Sequence, residues 1–230
     1  MSSFSDLTDV HLRVEGGTAL SKALITQVNE VCDRVEEDER KGLTLLVHID
    51  GAGSGEAEPW PHETPIHLVN QWERALRRLE RLPVLVPVVA GGVCRGPAFD
   101  LLLASDYRVA AEDLTLELVD VAGSAWPGMA LYRLGQQLGV AAARRMLVLR
   151  APLSAAEAAR VGLVDEVAQE PAARVREVLA SAGGVHGREL AIRRQLLFEA
   201  ATTSFEDALG THLAACDRAL RRSRGEGVAH

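Results

Sequence analysis

Apolar residues recur along the chain in two rhythms, and only one of them continues past Pro171. Val10 to Gly17 (VHLRVEGG) alternates with period two and closes on a Gly-Gly turn, which predicts a hairpin or edge strand. Leu24, Val28, Val31 and Val35 then fall at helical spacing behind Ser21, a fitting N-cap. Leu43 to Asp50 (LTLLVHID) reads as a buried strand, and residues 51–65 as a polar loop. Ile66 to Leu82 returns to helical spacing and must stop before Pro83, because proline disfavours helix in the residue it follows. Leu114 to Val119 is strand-like. Helices are predicted at Ala130 to Leu138, at Val140 to Leu149 and at Ser154 to Val161, where Ser154 and Glu157 form a capping box. Beyond Pro171 the helical rhythm takes over in Ala172 to Ser181, Arg188 to Thr202 and Ser204 to Arg222. Leu196, Leu197, Phe205, Leu209, Leu213 and Leu220 lie on its apolar stripes. The pattern predicts an α/β core over residues 1–170 and a helical extension over 171–230, which covers a neighbouring subunit or folds back on its own core.

One segment sets backbone donors and an acid side by side. In Pro83 to Ala110 (PVLVPVVAGGVCRGPAFDLLLASDYRVA), a Val-rich strand meets Gly91-Gly92, and Gly96-Pro97 signals a helix start just before Asp100. A helix's first turn offers unpaired N–H groups and a positive dipole end, so this corner suits a developing negative charge. The plainer alternative is a buried strand-helix unit in which Asp100 only caps its helix.

Composition narrows the field. At 230 residues, 47% apolar, the chain can bury a substantial core, and a net charge of −7 with 4% aromatics argues against nucleic-acid binding. The paired arginines Arg77-Arg78, Arg144-Arg145, Arg193-Arg194 and Arg221-Arg222 read as solvated helix faces or ion pairs. Cys32, Cys94 and Cys216 are scattered, without CxxC spacing, as in a reduced cytosolic protein. No apolar run is long enough for a bilayer and no secretory signal opens the chain, so the expectation is a cytoplasmic protein without membrane attachment. His62 and His67 lack the spacing of a helical metal pair, and Trp72 reads as core packing.

Three motifs, in order, carry a resemblance. LPVLVPVVAGGVCRGPAFDLLLASDYRVA resembles the KPVIAAVNGxxxGGGxELAxxCDxxxA segment of the crotonase superfamily, the enoyl-CoA hydratases and isomerases, with Asp106 as its aspartate after the helix. WPGMALYRL is similar to that superfamily's xPGxGGxxRL turn, and APLSAAEAARVGLVDEV to its xxxxAxEAxxxGLVxxV stretch. The resemblance implies a crotonase-like spiral of ββα units, the fold shared with ClpP, and a homo-oligomer, trimer or hexamer. It also implies a coenzyme A thioester substrate and no separate cofactor. Asp100 and Asp120 fall where hydratases carry their two catalytic glutamates, one to take the α-proton or activate water and one to protonate the leaving hydroxyl.

Two departures from the pattern stand out. The glycine that supplies one oxyanion donor is Pro97 here, which has no N–H, leaving Gly96 and Ala98 as neighbouring donors. The AGxD loop that supplies the other is replaced by GAGSGEAEPWP, with Gly53, Ser54 and Gly55 as candidates by position. Trp126, beside Pro127, is a candidate for the wall of an aromatic pocket. VNQWERALRRLERLP, CRGPAFD, SAWPGMALYRL and TTSFEDALGTHLAACDRALRR are further similar to crotonase-like proteins of 3,5-dihydroxyphenylacetyl-CoA formation. That similarity implies a type III polyketide synthase as partner, and dehydration and aromatisation of a cyclised poly-β-keto thioester as the reaction. The alternatives are a non-catalytic subunit that stimulates the synthase, and a hydratase or isomerase of another acyl-CoA.

Overall fold

Parallel pairing accounts for the long runs of β-branched residues, since a strand covered on both faces has no polar side to show. The computed structural model describes residues 10–38, 43–51, 61, 64–181 and 187–224. In chain order its elements are β1 (Val10–Glu15), α1 (Lys22–Glu37), β2 (Leu45–Asp50), α2 (Ile66–Leu79), β3 (Pro87–Ala90), β4 (Val93–Arg95), α3 (Pro97–Ala104), β5 (Tyr107–Ala110), β6 (Thr115–Glu117), β7 (Asp120–Val121) and β8 (Ser124–Ala125). They continue with α4 (Met129–Leu149), β9 (Leu153–Ser154), α5 (Ala155–Arg160), β10 (Glu166–Val167), α6 (Pro171–Ser181), α7 (Arg188–Ala200) and α8 (Phe205–Ser223).

Strands β1-β2-β3-β5-β10 form one sheet, parallel throughout, and β4-β6-β9 form a second, smaller sheet. The chain therefore steps from the large sheet to the small one and into a helix, as β3-β4-α3 and again as β5-β6 leading through the β7-β8 hairpin into α4. This is the spiral of ββα units expected of a crotonase-like fold. The large sheet's inner face, with Leu12, Val47, Ile49 and Val88, is buried against α1, α2 and α3. Its other face carries Leu46 and Val109 beneath Val175 of α6.

Local chemistry sets the boundaries. Ser21 Oγ accepts from the Leu24 amide at 3.1 Å, and Ser154 with Glu157 completes the capping box of α5. The helices expected on either side of Gly139 run together as α4, broken where Gly139 takes a φ of 75°. β1 proves to be an edge strand, in register with β2. The strand from Val93 was not expected: the chain leaves β3 for the second sheet before it turns into α3.

The C-terminal helices behave differently. Arg194 of α7 is buried and takes the ion-pair role, one of the two expected of the paired arginines. Its guanidinium donates to the carbonyls of Glu80, Leu82 and Val84 and pairs with Asp106 at 2.6 Å. In α8 no residue is buried; Phe205, Leu209, Leu213 and Leu220 all face outward, Phe205 at 75% exposure. Among the described residues, no helix is long and apolar enough to cross a membrane.

Candidate active site

The corner begins where two strand ends touch. Gly51, just after β2, lies so close to the turn after β3 that a Cβ on it would stand 2.4 Å from Gly92 Cα and 2.8 Å from the Gly91 oxygen. Gly92 itself sits at a φ of 60°, so neither glycine has a substitute without backbone movement. The Gly91 amide donates to the Ile49 carbonyl and the Gly92 amide to Asp113 Oδ1, which fixes the turn. The chain then runs through β4 to Gly96 (φ 57°), and Pro97 opens α3.

Asp100 occupies the first turn of α3 and does not cap it. Its amide donates to the Gly96 carbonyl at 3.0 Å, while its carboxylate Oδ2 accepts from Trp72 Nε1 of α2 at 2.9 Å. Both side chains are deeply buried, Asp100 at 6% exposure and Trp72 at 1%. Burial strips water from the carboxylate and pushes its pKa from 3.8 up to about 7, and the negative charge of Glu73 adds to that; the Trp72 bond and Arg133 oppose it. The neighbourhood explains why the acid stays close to neutral. Arg133 of α4 donates to Glu80 at 2.7 Å and to Glu73 at 2.9 Å, and Arg77 reaches Glu80 at 3.0 Å. Two guanidinium groups thus face three carboxyls, and Asp100, which among the described residues forms no ion pair, is where a proton is held at least cost. Burial raises the Glu73 pKa as well, with Arg133 holding it down.

Asp120 stands in the opposite environment. At the start of the β7-β8 hairpin, 48% exposed, it accepts from the Gly123 amide at 2.8 Å and pairs with Arg150 at 2.5 Å. Among the described residues it shares no hydrogen bond or ion pair with Asp100, Trp72, Glu73 or Arg133. Ala98 lies in the first turn of α3, where helix geometry provides no carbonyl for its amide, and Pro97 contributes none. Trp126 packs over Gly128, its Nε1 being 2.6 Å from where a Cβ would stand, and its backbone amide donates to Val119. Gly53, Ser54, Gly55 and His62 lie outside the described residues.

The sequence reading missed Glu73, Glu80 and Arg133, and gave Trp72 only its packing role. A cavity of about 380 Å³ between α2, α4 and α7 opens onto Glu80 and Arg133, with Met129, Tyr132, Leu197 and Phe198 on its apolar side. The clue available in sequence was Glu73 and Glu80 seven residues apart, on one side of a helix.

Residues 13–220 match the family described as Enoyl-CoA hydratase/isomerase, and the chain belongs to that family. It is 46% identical over 211 residues to an enoyl-CoA hydratase of Amycolatopsis orientalis, covering 92% of this chain and 95% of that protein. It is 27% identical to a probable enoyl-CoA hydratase of Bacillus subtilis (strain 168), over 83% of this chain and 78% of the relative. Among solved structures, an enoyl-CoA hydratase/isomerase from Cupriavidus metallidurans CH34 superposes with a TM-score of 0.77 at 21% identity, over 94% of this chain and 87% of that one. That likeness is one of fold. Members of the family act on coenzyme A thioesters without a separate cofactor.

Proposed function

We propose that the protein is an acyl-CoA dehydratase and tautomerase, of the DpgB type, that assists a type III polyketide synthase in forming 3,5-dihydroxyphenylacetyl-CoA, a precursor of dihydroxyphenylglycine in glycopeptide antibiotics, in the cytoplasm. The observation that carries it is Asp100, a buried acid held near neutrality by its surroundings at the start of α3. Asp100 serves as the proton donor and Asp120, ion-paired with Arg150 on the hairpin, as the base. The Asp120 carboxylate removes the α-proton of the cyclised thioester, and the electron pair moves onto the thioester oxygen. Amides of Gly96 or Ala98 and of the Gly53, Ser54 and Gly55 loop stabilise that enolate; such a donor is worth about 3 kcal/mol of barrier. The enolate then expels the β-hydroxyl as water, taking its proton from Asp100, and a C=C bond forms. Asp100 is left ionised and Asp120 protonated, and exchange with solvent restores both. Successive losses end in an aromatic ring, which makes the sequence strongly downhill, and Trp126 lines the ring's pocket. The exposed stripe of α7 and α8 serves as the interface of a homo-oligomer, trimer or hexamer.

The test is reconstitution with a type III polyketide synthase and malonyl-CoA, with mass detection of the product. Added protein should raise the yield, and Asp100→Asn and Asp120→Asn should each lower that gain about 100-fold or more. Unchanged stimulation by both variants would establish the second reading instead, a non-catalytic partner subunit, which Pro97 favours because it removes an expected oxyanion donor.

A further inference from the structure

We propose that Trp72 is a positioning residue that decides which oxygen of Asp100 carries the transferable proton. The inference rests on the reading of Asp100 as the acid. An indole N–H donates and cannot accept. Its bond to Oδ2, 2.9 Å long and sealed from water on both sides, therefore requires Oδ2 to be an acceptor whether Asp100 is ionised or neutral. A carbonyl oxygen accepts such a bond better than a hydroxyl oxygen does, so the bond favours the proton on Oδ1. A carboxyl free to rotate or to move its proton between oxygens would present the reacting hydroxyl with its acidic hydrogen only part of the time; this one has a favoured donor atom. The two residues come from different elements, α2 and α3, so their contact also sets how the two helices meet.

The charged and titratable groups that face Asp100 are Glu73 of α2, Arg133 of α4 and Cys94 of β4. Burial keeps Cys94 a thiol, and Glu73 is tied to Arg133. Among the described residues Trp72 supplies the side-chain hydrogen bond to the Asp100 carboxylate, so its loss shifts the titration of Asp100 upward.

Two readouts test this, one of them independent of turnover. In a ¹H–¹⁵N spectrum of the intact protein, one of the three tryptophan indole signals should move with pH with a midpoint near 7 and lie still in Asp100→Asn. The pH profile of kcat/KM for dehydration of a 3-hydroxyacyl-CoA should fall through the same midpoint, and Trp72→Phe should move that limb up by about one pH unit. If Trp72→Phe fails to fold, the wild-type and Asp100→Asn spectra decide. The proposal is overturned if no indole signal titrates, or if Trp72→Phe leaves the limb in place; should Asp100→Asn still abolish turnover, the acid assignment survives without Trp72. Full turnover in Asp100→Asn beside a titrating indole removes the acid assignment itself, and the positioning role with it.

Discussion

Asp100 and Asp120 are the same residue type placed in two unlike regions. Asp100 is buried: Trp72 donates one hydrogen bond to it, and with Asp100 counted, three carboxyls share two guanidinium groups. Around Asp120 a two-stranded hairpin lies open to water and Arg150 matches the charge one for one. The difference teaches that the same side chain meets two unlike environments, and that the proton affinity of Asp100 is set by its burial first and by neighbouring charge second.

The largest expected effect is on stability, and only on the buried side. Asp100 titrates at 3.8 as an ordinary carboxyl and at about 7 in the fold, so between those values the folded state binds more protons than the unfolded. Stability therefore falls as pH rises from about 4 to about 7, by up to about 4 kcal/mol, and stays low above that. Urea unfolding of wild type against Asp100→Asn should show the variant more stable at pH 8 and the two alike at pH 4. Replacing Arg133 by Met strands Glu73 and Glu80 without their shared cation and should cost about 3 kcal/mol in the same assay. Loss of turnover comes next: a 100-fold drop in Asp100→Asn corresponds to about 2.7 kcal/mol of barrier, and steady-state rates on a 3-hydroxyacyl-CoA measure it. Smallest is Asp120→Asn on thermal unfolding, where an ion pair half open to water should be worth under about 1 kcal/mol. A large destabilisation there would erase the contrast between the two regions.

Local rules were legible in the residues, and distant pairings were not. Ser21 and the Ser154-Glu157 box announced their helices because a cap is read within four positions. The glycines of the corner could be read as a turn, yet nothing local reveals that Gly51 must admit Gly92. β4 escaped because three residues, Val93, Cys94 and Arg95, are too few for a period to appear. Asp100 was legible through its motif, but its raised pKa comes from burial by distant elements, tempered by Trp72, 28 positions away, and by Arg133 from a helix that follows it. The apolar stripe of α8 was legible as a stripe, and the structure leaves it facing outward.

Arg194 has a consequence for the order in which the molecule is made. The carbonyls it satisfies, those of Glu80, Leu82 and Val84, leave the ribosome more than a hundred residues before it does. Until α7 is synthesised, the approach to β3 and the Asp106 carboxylate must rely on water where the finished chain has a guanidinium. Fragments that stop short of residue 187 should therefore be ready substrates for chaperones and proteases, although they already contain both aspartates and the whole glycine corner.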